Sequence, residues 1–358
     1  MPRDPRIRPG VGLVAALAAG ALLLAVPPAA QGRRTAPTPA ALAWPGAQRA
    51  SMAATLSDGT AYEPGVFLDA RTSAGTAPSR DGRTLRLLVR SADGSVRQVR
   101  ALPSARNPSF QSLTVAGDLL AWFERTKGGL ELWAAGLGSG PAAHRVTADT
   151  GDARFYRSET DLVFAGGRLR WVAAAAAGGT EVRAVAPGGG PVEVRRVPGT
   201  WRLLAWPWMT DGVADSAGAR TLRNLVSGAD VAVARPRDGA IGCSAAWCRI
   251  VSLDAGGYTR IELMRPDGGD RHEVAGGTAA TEIVDVAALD RFEVFVRIGA
   301  NSELTGNAQL LVHETNTRST VEISPDAGAV MLRNGVLCWS TGSQETFVRH
   351  TLDLRTVS

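Results

Sequence analysis

Asp118-Leu-Leu-Ala-Trp122 is a short apolar run that ends on tryptophan, and runs of this kind return along the chain. Its counterparts are Gly65-Val-Phe-Leu-Asp69, Arg168-Leu-Arg-Trp-Val172, Leu203-Leu-Ala-Trp206, Ser244-Ala-Ala-Trp247, Arg291-Phe-Glu-Val-Phe-Val296 and Gly335-Val-Leu-Cys-Trp339. With Val294 standing in where the tryptophan is missing, the marks from Trp122 to Trp339 are spaced by 49, 35, 41, 47 and 45 residues. A recurrence of roughly 40 to 50 residues is the length of one propeller blade, a four-stranded antiparallel sheet. Seven units are the expected count. Six is the alternative, and the unit in doubt is the one around Trp201 to Ala234.

Each run is read as the first, inner strand of its unit. A second, alternating strand follows, as in Leu130-Glu-Leu-Trp133, Thr180-Glu-Val-Arg-Ala-Val185, Thr259-Arg-Ile-Glu-Leu263 and Gln309-Leu-Leu-Val312. Alternation of this kind buries one face of a strand. A more polar third strand comes next, such as Val192-Glu-Val-Arg-Arg-Val197. The joints are turn chemistry, Pro187-Gly-Gly-Gly190 and Pro266-Asp-Gly-Gly269, where glycine supplies positive φ. No helical periodicity interrupts this pattern from Gly65 onward, so the fold class is all-β. The last unit ends at Ser358 after two or three strands. Open sheet edges invite aggregation, so Ser51 to Leu56 is expected to add the missing outer strand and close the ring.

These apolar-Trp strands, the turn Pro266-Asp267-Gly268-Gly269 leading into Arg271-His-Glu-Val274, and the segment Cys243-Ser-Ala-Ala-Trp-Cys248 resemble TolB-type β-propellers. The likeness is greatest to the secreted propeller proteins of high-GC Gram-positive bacteria, and it covers roughly Gly65 to Ser358. The TolB hallmark Ser-Pro-Asp-Gly is absent; Ser324-Pro325-Asp326 is followed by Ala327. That departure weakens any transfer of the family's envelope-complex role.

The N-terminus reads as an address. Arg3, Arg6 and Arg8 precede an uncharged run from Val11 to Val26, and Pro27-Pro-Ala-Ala30 follows. A basic segment, an apolar segment and small residues in that order make a secretory signal, assigned here to 1–30 as a signal peptide or an uncleaved signal anchor. The Ala/Pro/Thr-rich stretch 31–48 is expected to be a flexible linker, and 49–358 the propeller. The net charge of +5 supports this division. The first 34 residues hold five arginines and one aspartate, which leaves 34 basic and 33 acidic residues for the rest. The body of the chain therefore lacks the basic face that binding a phosphate backbone requires, and a nucleic-acid partner is excluded. The expected location is secreted or in the extracytoplasmic cell envelope.

Three cysteines in an exported chain predict one disulfide and a spare thiol. Cys243 and Cys248 are the expected pair, stapling the entry of an inner strand, and Cys338 the buried thiol. The four histidines, His144, His272, His313 and His350, stand more than 35 residues apart and in no metal-binding spacing. His144, His272 and His350 lie within or beside polar strands and are read as solvated edge residues, and neither a metal nor another cofactor is expected. A nucleophile elbow G-x-S-x-G is missing. Asp69, Glu124, Asp211 and Asp254 each follow an inner-strand run near the expected funnel mouth, and propeller glycosidases draw paired carboxylates from different blades. The cluster Trp201, Trp206 and Trp208 surrounds Pro207. Trp206 is expected in the core, while Trp208 and Asp211 are the expected loop contact, an aromatic beside a polar group. The functional expectation is a monomeric, non-catalytic binding or scaffold module at the envelope, recognising a protein or a glycan. The alternative is a secreted carbohydrate-active hydrolase that uses carboxylates at the funnel.

Overall fold

The computed structural model describes residues 36–358 apart from 139, 213–217, 301 and 343–346. The expected signal segment 1–30 lies outside the described residues. From Thr38 onward the chain is one compact unit of antiparallel sheets joined in sequence order. The first sheet runs Glu63–Phe67, Ser73–Pro78, Thr84–Arg90 and Val96–Pro103. The next four follow at 109–147, 152–197, 202–232 and 240–277. The remaining sheet has eight strands, and its long strand Ser319–Arg333 has two roles. Through Ser319 to Ala327 it pairs with Ala308–Glu314, and through Gly328 to Arg333 with Val336–Thr341. First strands of successive sheets neighbour one another, Glu63–Phe67 beside Ser109–Ala116 and the latter beside Val163–Ala165. The sheets are thus arranged around a common centre, as in a β-propeller.

The burial of Leu119–Thr126 shows why the tryptophan runs recur. Leu120 and Trp122 pack with Val66, Ala74 and Leu87 of the preceding sheet. Ala121 and Phe123 pack with Leu169 and Trp171 of the following one. All four are fully buried. Side chains alternate across a strand, so a strand sandwiched between two sheets is apolar on both faces and reads as a continuous apolar run.

These runs are second strands rather than inner ones. Trp122, Trp171 and Trp339 lie in the second strand of their sheets, and Trp247 immediately before one. Gly65 to Phe67 belongs to a first strand, Leu203 ends another, and Trp206 lies between two strands. Two of the inner strands, Arg202–Leu203 and Ala279–Ala280, have only two residues, too short to display an alternation, whereas Ser109–Ala116 has eight. The 202–232 region, the doubtful unit, forms a four-stranded sheet of short strands.

The closing strand is present two residues earlier than expected. Arg49–Ala53 pairs antiparallel with Val348–Asp353, from Arg49 opposite Leu352 to Ala53 opposite Val348. The segment before it corrects the linker expectation. Thr38–Pro39 pairs parallel with Val321 and Glu322, a single helical turn spans Ala40–Ala43, and Trp44 is buried. Trp44 meets Phe292 edge to face at 5.7 Å and donates its indole N–H to Glu314 at 3.2 Å. An Ala/Pro/Thr composition read as a spacer therefore conceals one aromatic anchor and one buried alanine face.

Candidate functional site

Two long loops meet near the centre of the fold. The first, residues 154–162, connects Asp152–Ala153 with Val163–Ala165; the second, residues 281–291, connects Ala279–Ala280 with Phe292–Arg297. Asp285 joins them. Its Oδ2 accepts the Glu159 backbone N–H at 2.9 Å, and its Oδ1 accepts a short hydrogen bond from the Ser158 hydroxyl. Arg202, from the inner strand of the next sheet, brings Nη1 to 3.6 Å from the same carboxylate. Asp161 turns back on its own loop, taking the Tyr156 N–H on both oxygens at 2.9 and 3.0 Å. Thr160 donates to the Leu203 carbonyl at 2.8 Å.

The second loop is held from behind by a buried pair. Arg249 donates to Glu293 at 2.7 Å, and its other contacts are the carbonyls of Val284 and Asp285 at 3.3 and 3.5 Å. Glu293 is fully buried and accepts the Ala287 N–H at 2.8 Å. Each oxygen of that carboxylate has a donor, which is what makes a buried charge tolerable.

On its open side the cluster borders a pocket of about 220 Å³ lined by Val66, Leu113, Glu159, Arg333, Asn334 and Arg355. The turn Asn334-Gly335 forms its rim. Both residues have positive φ, 53° and 73°, and a Cβ on Gly335 would stand 2.8 Å from the Arg355 side chain, so glycine is required there. Asn334 donates its backbone N–H to Glu159 at 3.1 Å and its side-chain amide to the Phe67 carbonyl at 2.8 Å. Arg333 reaches the Arg157 carbonyl at 3.1 Å.

Burial dominates the acid chemistry of this cluster. It lifts the Glu159 carboxyl to about 7, reinforced by the negative charge of Asp285 and opposed by Arg333 and the N–H groups of Asn334 and Gly335. Asp161 is raised to about 6, again by burial first, against the hydrogen bonds from Tyr156. The Arg202 guanidinium is pushed down by burial and held up by Asp285 and Asp161. Its Nη1 is buried without a hydrogen-bond partner. Burial thus brings the titration of Glu159 close to neutrality at the rim of this pocket, with Arg333 as the opposing charge.

The acids singled out in the sequence lie elsewhere. Asp69 caps its own turn through the N–H groups of Arg71 and Thr72. Glu124 is a buried partner of Arg100, gripped by two bonds of 2.9 and 3.1 Å. Asp254 binds the N–H groups of Gly256 and Tyr258 in an exposed hairpin turn. Trp208 begins the strand Trp208–Thr210, half-buried against Leu222 and its neighbours. Asp211 follows it and accepts the N–H groups of Arg220 and Thr221 at 2.7 and 2.9 Å. Trp206, expected in the core, is half-buried under the Arg170 guanidinium at 4.0 Å. The Cys243–Cys248 disulfide is present, but it joins the facing ends of a first and a second strand, and Cys338 is buried. Among the described residues no group of three or more His, Cys, Asp or Glu is placed to hold a metal ion. Glu159, Asp161, Asp285 and Arg202 were not singled out: they sit in loops or at a two-residue strand, where a polar residue reads as solvated.

No family model and no curated protein matches the chain. Among solved structures, it is similar to a puromycin-hydrolysing peptidase from Mycobacterium tuberculosis, with a TM-score of 0.53 and 11% identity over 84% of this chain and 52% of that one. TolB from Acinetobacter baumannii aligns with a TM-score of 0.41 at 13% identity, covering 70% of this chain. The β-propeller domain of the Trilobed protease from Pyrococcus furiosus aligns at 0.47 and 10% identity, covering 79% of this chain and 89% of that domain. This chain spans 63% of the length of the Acinetobacter TolB. Likeness at such identities concerns the fold alone.

Proposed function

We propose that this chain is an exported, monomeric, non-catalytic propeller of seven blades that binds a protein or glycan at the cell envelope. The observation that carries the non-catalytic reading is the internal use of the central carboxylates. Asp285 and Asp161 spend both oxygens on N–H and hydroxyl groups of the 154–162 loop. Glycoside hydrolysis needs two carboxyl groups facing one another across roughly 5 to 9 Å with room for sugar or water between them. The Arg333 guanidinium lining the pocket also favours binding over acid-pair chemistry.

The count of seven rests on the double pairing of Ser319–Arg333, which takes part in two four-stranded ladders, Thr38–Pro39 being the eighth strand of the sheet outside both. Export rests on the N-terminal signal pattern and accords with the Cys243–Cys248 bridge. The likeness to secreted propeller proteins of high-GC Gram-positive bacteria rests on the sequence motifs alone. In this reading Trp208 and Asp211, at the start of the 211–220 connection, take part in the contact with the partner.

The test is paired. The chain beginning at Thr38 is assayed on panels of glycans and peptide esters, and the tagged exported protein is captured from its own envelope alongside a Trp208→Ala variant. Absence of turnover with one stoichiometric partner, depleted at least tenfold by the variant, is the expected result. Turnover that Glu159→Gln abolishes would establish the hydrolase instead.

A further inference from the structure

His272 and His313 stand on adjoining sheets, in the strands His272–Gly277 and Ala308–Glu314. Their ring centroids are 5.6 Å apart, with the planes tilted by 45°. His313 is 3% exposed and the His272 side chain 15%, so His272 is not the solvated edge residue expected from sequence. The Nε2 atoms of both rings are buried and have no hydrogen-bond partner. Buried polar atoms are nearly always paired, and an exception calls for a reason. Here two exceptions of one kind fall on neighbouring rings.

The other ring nitrogens are engaged. His272 Nδ1 is 2.7 Å from the Asp270 carbonyl oxygen. A carbonyl can only accept, so the proton sits on Nδ1 and Nε2 carries the lone pair. His313 Nδ1 contacts the Thr320 hydroxyl at 3.2 Å. Ligating imidazoles are oriented in this way, one nitrogen fixed by a protein oxygen and the other left for the ion. We propose that His272 and His313 together form a low-coordinate site for a monovalent d¹⁰ metal ion, cuprous copper, held between the two sheets.

The donor set selects the ion. Two imidazole nitrogens are present, and no third His, Cys, Asp or Glu completes a cluster among the described residues. Asp270 is paired with Arg318, and Glu314 with Arg291 and Trp44. Zinc requires four ligands, and calcium and magnesium require oxygen. A monovalent d¹⁰ ion is content with two nitrogen donors. Metal–imidazole bonds of about 2 Å put two rings that share one ion about 6 Å apart with the nitrogens in line, the arrangement a two-coordinate d¹⁰ ion prefers, and the ring separation of 5.6 Å lies close to that span. Trp247 packs edge-on against His272 at 5.9 Å, with Arg265 stacked 3.7 Å from its ring. That packing fixes the imidazole before any ion arrives.

Silver(I) serves as a redox-inert probe, titrated by calorimetry in chloride-free buffer into the whole exported chain carrying Cys338→Ser to remove the free thiol. One equivalent is expected to bind, with ¹⁵N shifts confined to two histidine Nε2 signals, and with affinity at least tenfold weaker in both His272→Gln and His313→Gln. Circular dichroism checks that each variant folds; should His313→Gln unfold, His272→Gln and the ¹⁵N shifts decide. Unchanged affinity in His272→Gln, no binding at micromolar silver, or no histidine shift would overturn the site and leave an ordered water between the rings. Zinc(II) binding more tightly than silver(I) would overturn the choice of ion.

Discussion

Asp285 accepts the backbone N–H of Glu159 at 2.9 Å across a sequence separation of 126 residues, and this bond joins two loops that share no sheet. Around it lie Ser158, Asp161, Arg202 and Arg333, drawn from separate parts of the ring. The centre of this propeller is thus tied by a polar network in which one carboxylate serves three partners. Networks of this kind are costly when one member is removed, because those left behind stay buried.

Asp285→Asn is expected to destabilise the fold by about 3 kcal/mol, in the range for breaking a buried ion pair from one side. Arg202 has a buried Nη1 with no hydrogen bond and would lose the carboxylate at 3.6 Å. Adding Arg202→Met should return part of the loss, since the orphaned cation is then gone. Urea denaturation of the two variants measures both effects; equal midpoints for single and double variants would refute the account.

Glu159 also sets a pH dependence. Its carboxyl sits at about 7 in the fold and near 4.5 when unconstrained, so between those values the folded state holds a proton that the unfolded state has released. Stability then rises as pH falls through 7, and the gain is complete below about 4.5. His313, held down to about 4 chiefly by burial, works the other way below pH 6.5, where the unfolded chain takes up protons first. Asp161, raised to about 6 by burial, works in the same direction as Glu159, so it is the difference between the parent chain and Glu159→Gln from pH 8 to 6.5 that reports Glu159. Thermal midpoints of the parent chain should climb on acidification there, and those of Glu159→Gln should climb less; parallel curves would refute the assignment.

What the sequence made legible follows from how each element is buried. Second strands such as Leu119–Thr126 are covered on both faces, so Trp122 and Phe123 announced the repeat and its length. Inner strands of two residues carry no pattern, and the strand order was displaced by one in the units of Trp122, Trp171, Val294 and Trp339. The closing strand was legible because a ring short of one strand has to find it. The central cluster was not: Ser158-Glu-Thr-Asp161 is indistinguishable from a solvated loop until Asp285 is brought to it by the ring. Trp44 was passed over for a similar reason, lying in a composition that otherwise belongs to a spacer.

The Cys243–Cys248 bridge closes a loop of only four intervening residues. Chain entropy for so short a loop gives about 2 kcal/mol, the lower part of the usual range. Replacing both cysteines by serine should lower the urea midpoint by a corresponding amount, and reductant should then have no further effect on it. A loss near 5 kcal/mol would mean that the bridge also fixes the packing of Trp247 beside it.

The segment ahead of the closing strand tests how the ring is fastened. Arg49–Ala53 completes the ladder with Val348–Asp353, while Thr38–Pro39 pairs at Val321 and Glu322 on the preceding ladder. Arg49 donates from Nη2 to the carbonyls of Ala40 and Trp44 at 2.6 and 2.8 Å, folding the intervening turn back onto its own strand. The N-terminal segment therefore spans both ladders of the eight-stranded sheet, with Trp44 as the plug between them. Trp44→Ala removes a 5%-exposed indole and leaves Glu314 with one donor fewer, so a loss of about 3 to 5 kcal/mol is expected. Trp44→Phe keeps most of the apolar volume and loses only the N–H, and should cost about 1 kcal/mol. Hydrogen exchange locates the damage: a clasp predicts faster exchange in Ala308–Glu314 and Val348–Asp353, with the 109–147 sheet unaffected. Uniform acceleration around the whole ring would show that Trp44 supports global stability and does not fasten these two ladders in particular.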